Sequence, residues 1–349
     1  MRLAKQAKRT ALGLVRAAGG FAAVRESSWR RQRLLILCYH GVSIDDEHEW
    51  APSYSISPVL LERRFRHLRD AGYSVLPLDE AVRRLREGSL PPKSVVLTFD
   101  DGLADFPLRA YPVLRQFGYP ATVYLTTFYA GHQRPVFGVF ASYLVWKGRD
   151  RGTLSRDIIG DDGAWDLTSA SGRRDAVEAL RRHAIEQELS TPAKDDLAKR
   201  LSGALGLDYE ELVSRRLLQI MRPDEVQRMA EAGIRFELHT HRHRTPLDPA
   251  LFRRELDDNR AQIHALAGQA PSHFCYPSGV YEHAFLAWLR EASVVSATTC
   301  ESGLATAATE PLLLPRVIDG AQLSDVEFES WTSGVGALLP HRVAHVPAA

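Results

Sequence analysis

The chain has 349 residues, of which 25% are charged and 45% hydrophobic, and its formal net charge is +1. These proportions are typical of a globular protein with a sizeable core, and the small net charge predicts no general attraction to nucleic acid. The three cysteines, Cys38, Cys275 and Cys300, form neither a CxxC metal pair nor a disulfide framework, and no apolar run approaches the roughly 18–20 residues that span a bilayer.

Segment 1–33 is strongly basic, since it contains nine Lys or Arg residues and Glu26 as its one acidic residue. Arg16 interrupts the short apolar run 11–15, which argues against a secretory signal. Two interpretations stay open: a simple basic tail, or an amphipathic helix that lies on an anionic membrane face. We expect a cytoplasmic protein whose N-terminus is able to touch the inner face of a membrane.

From residue 34 onward, apolar strand-like runs alternate with segments of helical periodicity. Strands are predicted at 34–39, 74–76, 94–99, 121–126, 234–238, 272–276, 293–298 and 312–318. Helices are predicted at 60–71, 78–87, 106–117, 224–232, 249–267 and 283–292. This alternation indicates an α/β protein with a parallel sheet or barrel over residues 34–330.

The alternation stops between residues 128 and 221, where aromatic clusters precede charge-rich helical stretches. We interpret 128–221 as a mainly helical insertion, which either packs on the surface or forms a lid or substrate wall at the site. The tail, 331–349, is predicted to be loosely structured.

One predicted strand ends abruptly in two adjacent carboxylates, Asp100 and Asp101, followed by Gly102. Side chains at the end of a strand can both face one cavity, where two carboxylates would repel unless a cation or a shared proton intervened. The alternative is an ordinary strand that runs into an Asp-Gly turn. The pattern alone does not decide between a site and a turn.

A second polar cluster, which contains His239 and His243, also follows a predicted strand. Functional residues in such folds collect at the carboxyl ends of strands, so this cluster would meet Asp100 and Asp101. Two histidines and one carboxylate form a facial ligand set that leaves positions for water and substrate. The alternative is a basic surface loop, because Arg242 and Arg244 in the same stretch repel a cation. The pairing of both clusters favours a metal site.

These motifs resemble those of the polysaccharide deacetylase family, the nodulation-type carbohydrate esterases. The matching stretches are Thr98-Phe99-Asp100-Asp101-Gly102, His239-Thr240-x-x-His243 and Phe274-Cys275-Tyr276-Pro277-Ser278-Gly279. Leu37-Cys38-Tyr39-His40-Gly41-Val42 and Leu314-Pro315-Arg316-Val317 resemble the opening and closing strands of the subgroup that includes biofilm-polysaccharide deacetylases. The resemblance implies a distorted (β/α) barrel, usually with seven strands. It also implies a divalent metal, most often zinc, and hydrolysis of N-acetyl groups on amino sugars.

Carried over by position, the resemblance implies that Asp101, His239 and His243 bind the metal and that Asp100 is the general base. The backbone N–H of Tyr276 would hold the oxyanion. The family's late Leu-x-His motif and its Asp-Trp pair are not evident, so we expect His40 to be the general acid. Arg316 is expected to orient or tune Asp100, while His241 and His273 are expected to take no part.

The predicted substrate is an N-acetylhexosamine unit within a polysaccharide or glycan precursor. Two alternatives remain, a hydrolase of the same fold that acts on a small non-sugar amide and a glycan-binding module without catalysis. The ligand set also accepts cobalt, nickel or iron.

Overall fold

The structure is a computed structural model, and it describes residues 2–340, with side chains from residue 5 onward. Its strands are β1 (Leu35–Tyr39), β2 (Gly41–Val42), β3 (Ser55–Ile56), β4 (Ser74–Val75), β5 (Ser94–Phe99), β6 (Thr122–Leu125), β7 (Thr153–Ser155), β8 (Ala164–Asp166), β9 (Arg235–Leu238), β10 (His273–Cys275), β11 (Ser296–Thr298) and β12 (Val317–Ile318). Its α-helices are α1 (Arg2–Ala17), α2 (Gly20–Glu26), α3 (Ser28–Arg31), α4 (Glu47–Trp50), α5 (Pro58–Asp70), α6 (Leu78–Glu87), α7 (Tyr111–Phe117), α8 (Phe137–Lys147), α9 (Ala170–Glu186), α10 (Thr191–Ala204), α11 (Tyr209–Ser214), α12 (Pro223–Glu231), α13 (Pro249–Ala267), α14 (His283–Glu291), α15 (Asp325–Ser333) and α16 (Val335–Leu338).

Seven of these strands form a curled parallel sheet in the order β11-β10-β9-β6-β5-β1-β12, and β4 pairs beside the start of β5. The two ends of the sheet approach each other, because Leu314, just before β12, donates a backbone hydrogen bond to Ala297 of β11 at 2.8 Å. The sequence-based prediction of an α/β fold with a distorted, seven-stranded (β/α) barrel is confirmed.

The central strands are buried along their whole length, which explains why they read as continuous apolar runs. β1 and β5 pair in parallel with Tyr39 opposite Phe99, so the two strands end at the same level. The backbone N–H of Asp100 then donates to the carbonyl of Tyr39 at 2.8 Å. This register brings His40 and Asp100 to the same edge of the sheet.

The predicted insertion between 128 and 221 is mainly helical, as expected, and it also contains the short antiparallel hairpin β7–β8. It has its own hydrophobic core, in which Phe140, Tyr143 and Leu180 are buried. The insertion therefore packs as a compact helical unit beside the barrel.

The two ends of the described chain pack against each other. Leu12 of α1 and Phe21 of α2 form a small apolar cluster with Val335 of α16, and Arg9 pairs with Glu327 of α15 at 2.9 Å. The basic N-terminal segment is therefore helical and docked, which makes the simple-tail interpretation wrong. Within the tail that was expected to be loosely structured, residues 331–333 and 335–338 are helical, whereas 341–349 lie outside the described residues. Within residues 2–340, no helix combines the length and apolar character needed to cross a bilayer.

Candidate metal centre and active site

The structure brings together the three side chains that the sequence analysis assigned to a metal. Asp101 follows β5, while His239 and His243 follow β9. The Nε2 atoms of His239 and His243 lie 3.3 and 3.2 Å from Asp101 Oδ1. The three donor atoms all lie within 4.8 Å of one another. One carboxylate and two imidazoles thus converge on a single point at the carboxyl edge of the sheet.

The hydrogen bonds around this cluster fit a cation. Nδ1 of His239 lies 2.8 Å from the carbonyl oxygen of Cys275, which can only accept, so Nδ1 carries the proton. In neutral His239 the Nε2 lone pair then faces the carboxylate of Asp101. Asp101 Oδ1 is itself buried and has no hydrogen-bond partner of good geometry. Facing lone pairs require a proton or a metal ion between them, and the backbone contact of Nδ1 is the support that metal-binding histidines use.

The charges in the cluster shift the pKa values of its members. Burial alone would raise the pKa of Asp101, but the charge of His243 and the close contacts of the His239 and His243 rings with Oδ1 hold it well below its usual range. Burial alone would lower the pKa of His239, but its close contact with Asp101 and the charges of Asp100 and Asp101 raise it. The site therefore favours positive charge between these groups.

Unusual backbone conformations accompany the cluster. Asp101, Thr240 and His243 have φ values of 67°, 60° and 56°, in the left-handed region that non-glycine residues rarely occupy. Such conformations cost of order 1–3 kcal/mol each and concentrate at functional sites. They turn the carboxylate of Asp101 and the imidazole of His243 toward each other at the sheet edge.

Asp100 is buried beside the cluster and held by Arg316, which precedes β12. Arg316 donates from Nη1 to Oδ1 at 2.7 Å and from Nη2 to Oδ2 at 2.8 Å, the bidentate geometry that suits guanidinium and carboxylate. Both side chains are almost fully buried. Burial alone would raise the pKa of Asp100, but the charge and hydrogen bonds of Arg316 keep it far below the ordinary value.

Two thiols complete the surroundings of Asp100. Cys38 and Cys275 lie 3.5 and 3.4 Å from its Oδ2. Burial raises the pKa of both thiols well above the usual value, so they stay protonated and donate weak hydrogen bonds. Both cysteines are buried, and both support the ionised carboxylate.

His40 lies at the edge of the same site. Its Nε2 is 3.7 Å from Asp100 Oδ2, and its side chain is 17% exposed. Burial lowers its pKa, and the charges of Asp100 and Asp101 offset this only in part. The ring of Tyr54 meets it edge-to-face, with centroids 5.1 Å apart.

The expected role of Tyr276 does not fit the structure. Its backbone N–H donates to the carbonyl of Thr298 at 3.2 Å, extending the pairing of β10 with β11. Its hydroxyl donates to the carbonyl of Leu312 at 3.0 Å. Because the N–H is already engaged within the sheet, the prediction that it holds an oxyanion is wrong for this structure.

Two supporting residues escaped the sequence analysis, Glu255 and Asn259 of α13. Asn259 accepts a hydrogen bond from the backbone N–H of His239 at 2.9 Å and donates to the carbonyl of Leu125. Glu255 accepts from the backbone N–H of Arg242 at 2.8 Å and pairs with the side chains of Arg242 and Arg244. Their i,i+4 spacing on the apolar face of α13 was an available signal, because buried polar residues require partners.

Glu255 also explains why the basic residues of the histidine loop do not repel a cation: both arginines are paired away from the ligands. His241 contacts Thr127 Oγ1 at 2.9 Å, and His273 contacts Ser296 Oγ at 2.8 Å. Neither belongs to the ligand cluster.

Comparisons with known proteins agree with this arrangement. A sequence model described as polysaccharide deacetylase matches residues 87–296, more than half of the chain. Over 97 residues the chain is 34% identical to the poly-beta-1,6-N-acetyl-D-glucosamine N-deacetylase of Escherichia coli K12, a match that covers 28% of this chain and only 14% of that protein. The chain thus spans far less than two thirds of this relative.

Solved structures show a similar fold. The deacetylase PplD of Streptococcus pyogenes, in complex with acetate, aligns with a TM-score of 0.56 and 20% identity, covering 88% of this chain and 99% of that one. IcaB of Ammonifex degensii aligns with a TM-score of 0.54 and 16% identity, covering 86% and 97%.

Proposed function

Because this chain belongs to the polysaccharide deacetylase family, we propose that it is a metal-dependent hydrolase that removes N-acetyl groups from N-acetylhexosamine units of a polysaccharide or glycan precursor. The observation that carries the proposal is the convergence of Asp101, His239 and His243 beside the buried carboxylate of Asp100. A nitrogen–oxygen ligand set of this kind suits zinc first, with cobalt, nickel or iron as alternatives. A bound metal would activate water and polarise the amide carbonyl.

The protein's own groups account for the proton transfers of amide hydrolysis. Asp100 accepts a proton from the attacking water. Because the pKa of Asp100 is strongly lowered, it readily passes this proton on to another group. The Nε2 atom of His40 lies 3.7 Å from Asp100 Oδ2, close enough for a proton to pass between the two side chains through a small movement or one water. We therefore assign His40 as the acid that protonates the leaving nitrogen, since an amine departs only in protonated form. Arg316 acts through Asp100, whose orientation and charge it fixes.

Acetate release from defined substrates tests the proposed function. We expect release from oligosaccharides of N-acetylglucosamine, in the presence of zinc, and its loss after chelation. Release from simple acetamides but not from any glycan would instead support the non-sugar hydrolase. Tight glycan binding without turnover and without stoichiometric metal would support the inactive binding module.

Removing Arg316 is expected to change the pH dependence of this activity. Arg316 lowers the pKa of Asp100, so Arg316→Gln should raise that pKa and move the acid limb of the kcat/KM profile to higher pH. Breaking the buried pair should also lower the free energy of unfolding by about 3–5 kcal/mol. Arg316→Lys keeps the charge but not the bidentate contact, and it should shift the limb less.

A matched control separates these effects, because Arg64 forms another buried pair with Asp319, at 3.2 Å. Arg64→Gln should reduce stability without moving the acid limb. If Arg316→Gln folds and its pH profile coincides with that of the wild type, Arg316 does not tune Asp100.

We also propose that α1 contacts an anionic membrane surface, which for a cytoplasmic protein is the inner face. Arg9 and Arg16 turn toward α15, where they pair with Glu327 and Glu329. The opposite side of α1 exposes Leu14 at 68% and Val15 at 41%. Ala7 and Ala11 are exposed at helical spacing on the same side. This outward apolar strip is the feature that supports interfacial binding.

Vesicle binding checks the membrane proposal. The double substitution Leu14→Ser and Val15→Ser should weaken binding to anionic phospholipid vesicles by about tenfold or more, because it removes two apolar side chains from the interface. Ala22→Ser with Ala23→Ser, at exposed positions of α2, is the matched control and should bind as the wild type. Equal binding by all three proteins would contradict the proposal.

A further inference from the structure

A shallow groove leads from the candidate active site onto the helical insertion. It begins at Tyr54, whose ring contacts the imidazole of His40. Tyr54 lines a cavity of about 400 Å³ together with Trp50, Ser142 and Arg181. A second cavity, of about 620 Å³, shares Trp50, Ser142 and Arg181 with the first. Because three residues line both, the two cavities lie side by side on the insertion, and together they are here called the insertion groove.

The far part of the insertion groove lies between α8 and α9. Its lining includes Trp146 of α8, and Arg173 and Glu178 of α9. Arg173 and Arg181 are eight residues apart, so the groove follows roughly 12 Å of helix. This length exceeds that of one sugar ring. It suits a chain of linked sugars, one of which lies at His40 while the others continue along the groove.

Ion pairs hold the walls of the groove in place. The loop before α4, the helix that ends at Trp50, carries the acidic residues Asp45 and Asp46. Neither residue has a role in the candidate active site. Lys147 of α8 pairs with both of them, and Tyr143 donates to Asp46 at 2.7 Å. Arg215 of the insertion pairs with Asp45 at 3.3 Å. These bonds cross between the barrel and the insertion, so the groove is formed before a ligand arrives, which lowers the entropic cost of binding.

Aromatic contacts shape the same walls. Trp50 packs edge-to-face on Tyr143, with centroids 5.5 Å apart, and Tyr143 stacks on Trp146 at 6.0 Å. Arg181 is fixed by two hydrogen bonds from its guanidinium to the carbonyl of Gly138. Rigid aromatic side chains offer large apolar surfaces to the C–H faces of sugar rings, and polar neighbours supply donors and acceptors for hydroxyl groups.

The charges of the insertion groove suggest a neutral ligand. Arg173, Arg174 and Arg181 alternate with Asp175 and Glu178 along it. Donors and acceptors are thus interleaved, without the one-sided field that would select a strongly charged chain.

The geometry points to the insertion groove as the binding site for an extended, neutral chain of N-acetylated sugars, one unit of which reaches the candidate metal centre. This inference rests on the proposed function and deepens it: the sugar units that flank the reacting one bind on the helical insertion. The insertion is accordingly a substrate wall, one of the two roles that its sequence left open.

Substitutions within the groove test the inference in the full-length protein. Ser142→Trp fills the shared part of the groove, and Ser142→Ala, which leaves it open, is its control. Arg181→Ala removes a lining side chain, and Arg182→Ala changes an exposed neighbour on the same helix. Calorimetric titration with di- and hexasaccharides of β-1,4- and β-1,6-linked N-acetylglucosamine, in an Asp100→Asn background, measures binding without turnover.

We expect Ser142→Trp and Arg181→Ala to weaken hexasaccharide binding by about tenfold, with disaccharide binding and both controls unchanged. In the otherwise wild-type background, the same two variants should lose the kcat/KM advantage of hexasaccharide over disaccharide. Equal hexasaccharide affinity in all variants, or no hexasaccharide binding by the parent protein, overturns the groove assignment. Groove-dependent binding without any acetate release supports the groove and rejects the proposed function.

Discussion

His243→Asn is expected to abolish acetate release and to weaken metal binding by more than about a hundredfold. Loss of a residue that only supports a metal ligand already costs up to about a hundredfold in affinity, and His243 is proposed to be a ligand itself. The substitution removes one of three donors from the cluster but should leave the fold intact. His243 is 33% exposed, and asparagine tolerates its positive φ of 56° better than most residues do. Metal content by elemental analysis and acetate release measure the two effects.

His241→Asn is the matched control, because His241 lies in the same loop but contacts Thr127 instead of Asp101. It should keep both metal and activity. Full activity of His243→Asn, with metal still bound, would refute the ligand assignment.

Metal affinity should also fall on acidification from pH 8 to pH 6. The pKa of His239 is raised in the metal-free site, so a proton increasingly competes with the metal as pH falls through that value. The expected loss approaches about tenfold per pH unit for each displaced proton.

Asp100→Asn is expected to lower kcat by about 10²–10⁴, the usual contribution of a general base, while the protein still binds metal. An amide is isosteric with the carboxylate but cannot accept the proton of the attacking water. The substitution also leaves Arg316 buried without its counterion, so a loss of stability is expected. Steady-state kinetics, metal analysis and denaturant unfolding distinguish these effects.

Asp319→Asn provides the control for the lost ion pair, since Asp319 is the buried partner of Arg64. It should destabilise the protein without a comparable loss of kcat. If Asp100→Asn kept the wild-type kcat, another group would have to act as the base.

Much of the barrel and of the candidate site could be predicted because local sequence carries both. Strands that are buried on both faces appear in the sequence as continuous apolar runs. The polar residues that follow such runs are therefore easy to identify, as Asp100 is after β5. The parallel arrangement then places all strand ends at one edge. For this reason the sequence alone predicts that Asp101, His239 and His243 lie close together.

The role of Tyr276 could not be predicted, because a motif does not reveal which backbone groups pair. Its N–H bonds to Thr298, which is 22 residues away along the chain, through the pairing of β10 with β11. Similarly, nothing local to segment 1–33 predicts that Arg9 docks on Glu327. Contacts between segments that are distant in the chain depend on how the helices and the sheet pack in the folded protein.

The amino-acid sequence by itself determined the α/β alternation and the side chains available at the carboxyl edge of the sheet, because periodicity and strand-end chemistry are local properties. The choice of a barrel over an open parallel sheet came from the resemblance of its motifs to those of a known family. Only the tertiary structure decided that Glu255 and Asn259 brace the histidine loop, that Asp45 and Asp46 clamp the insertion, and that an aromatic groove opens beside His40. Those features arise from contacts between residues that are far apart in the chain. Such contacts stabilise the protein only after the helices and strands have packed and brought the residues within bonding distance.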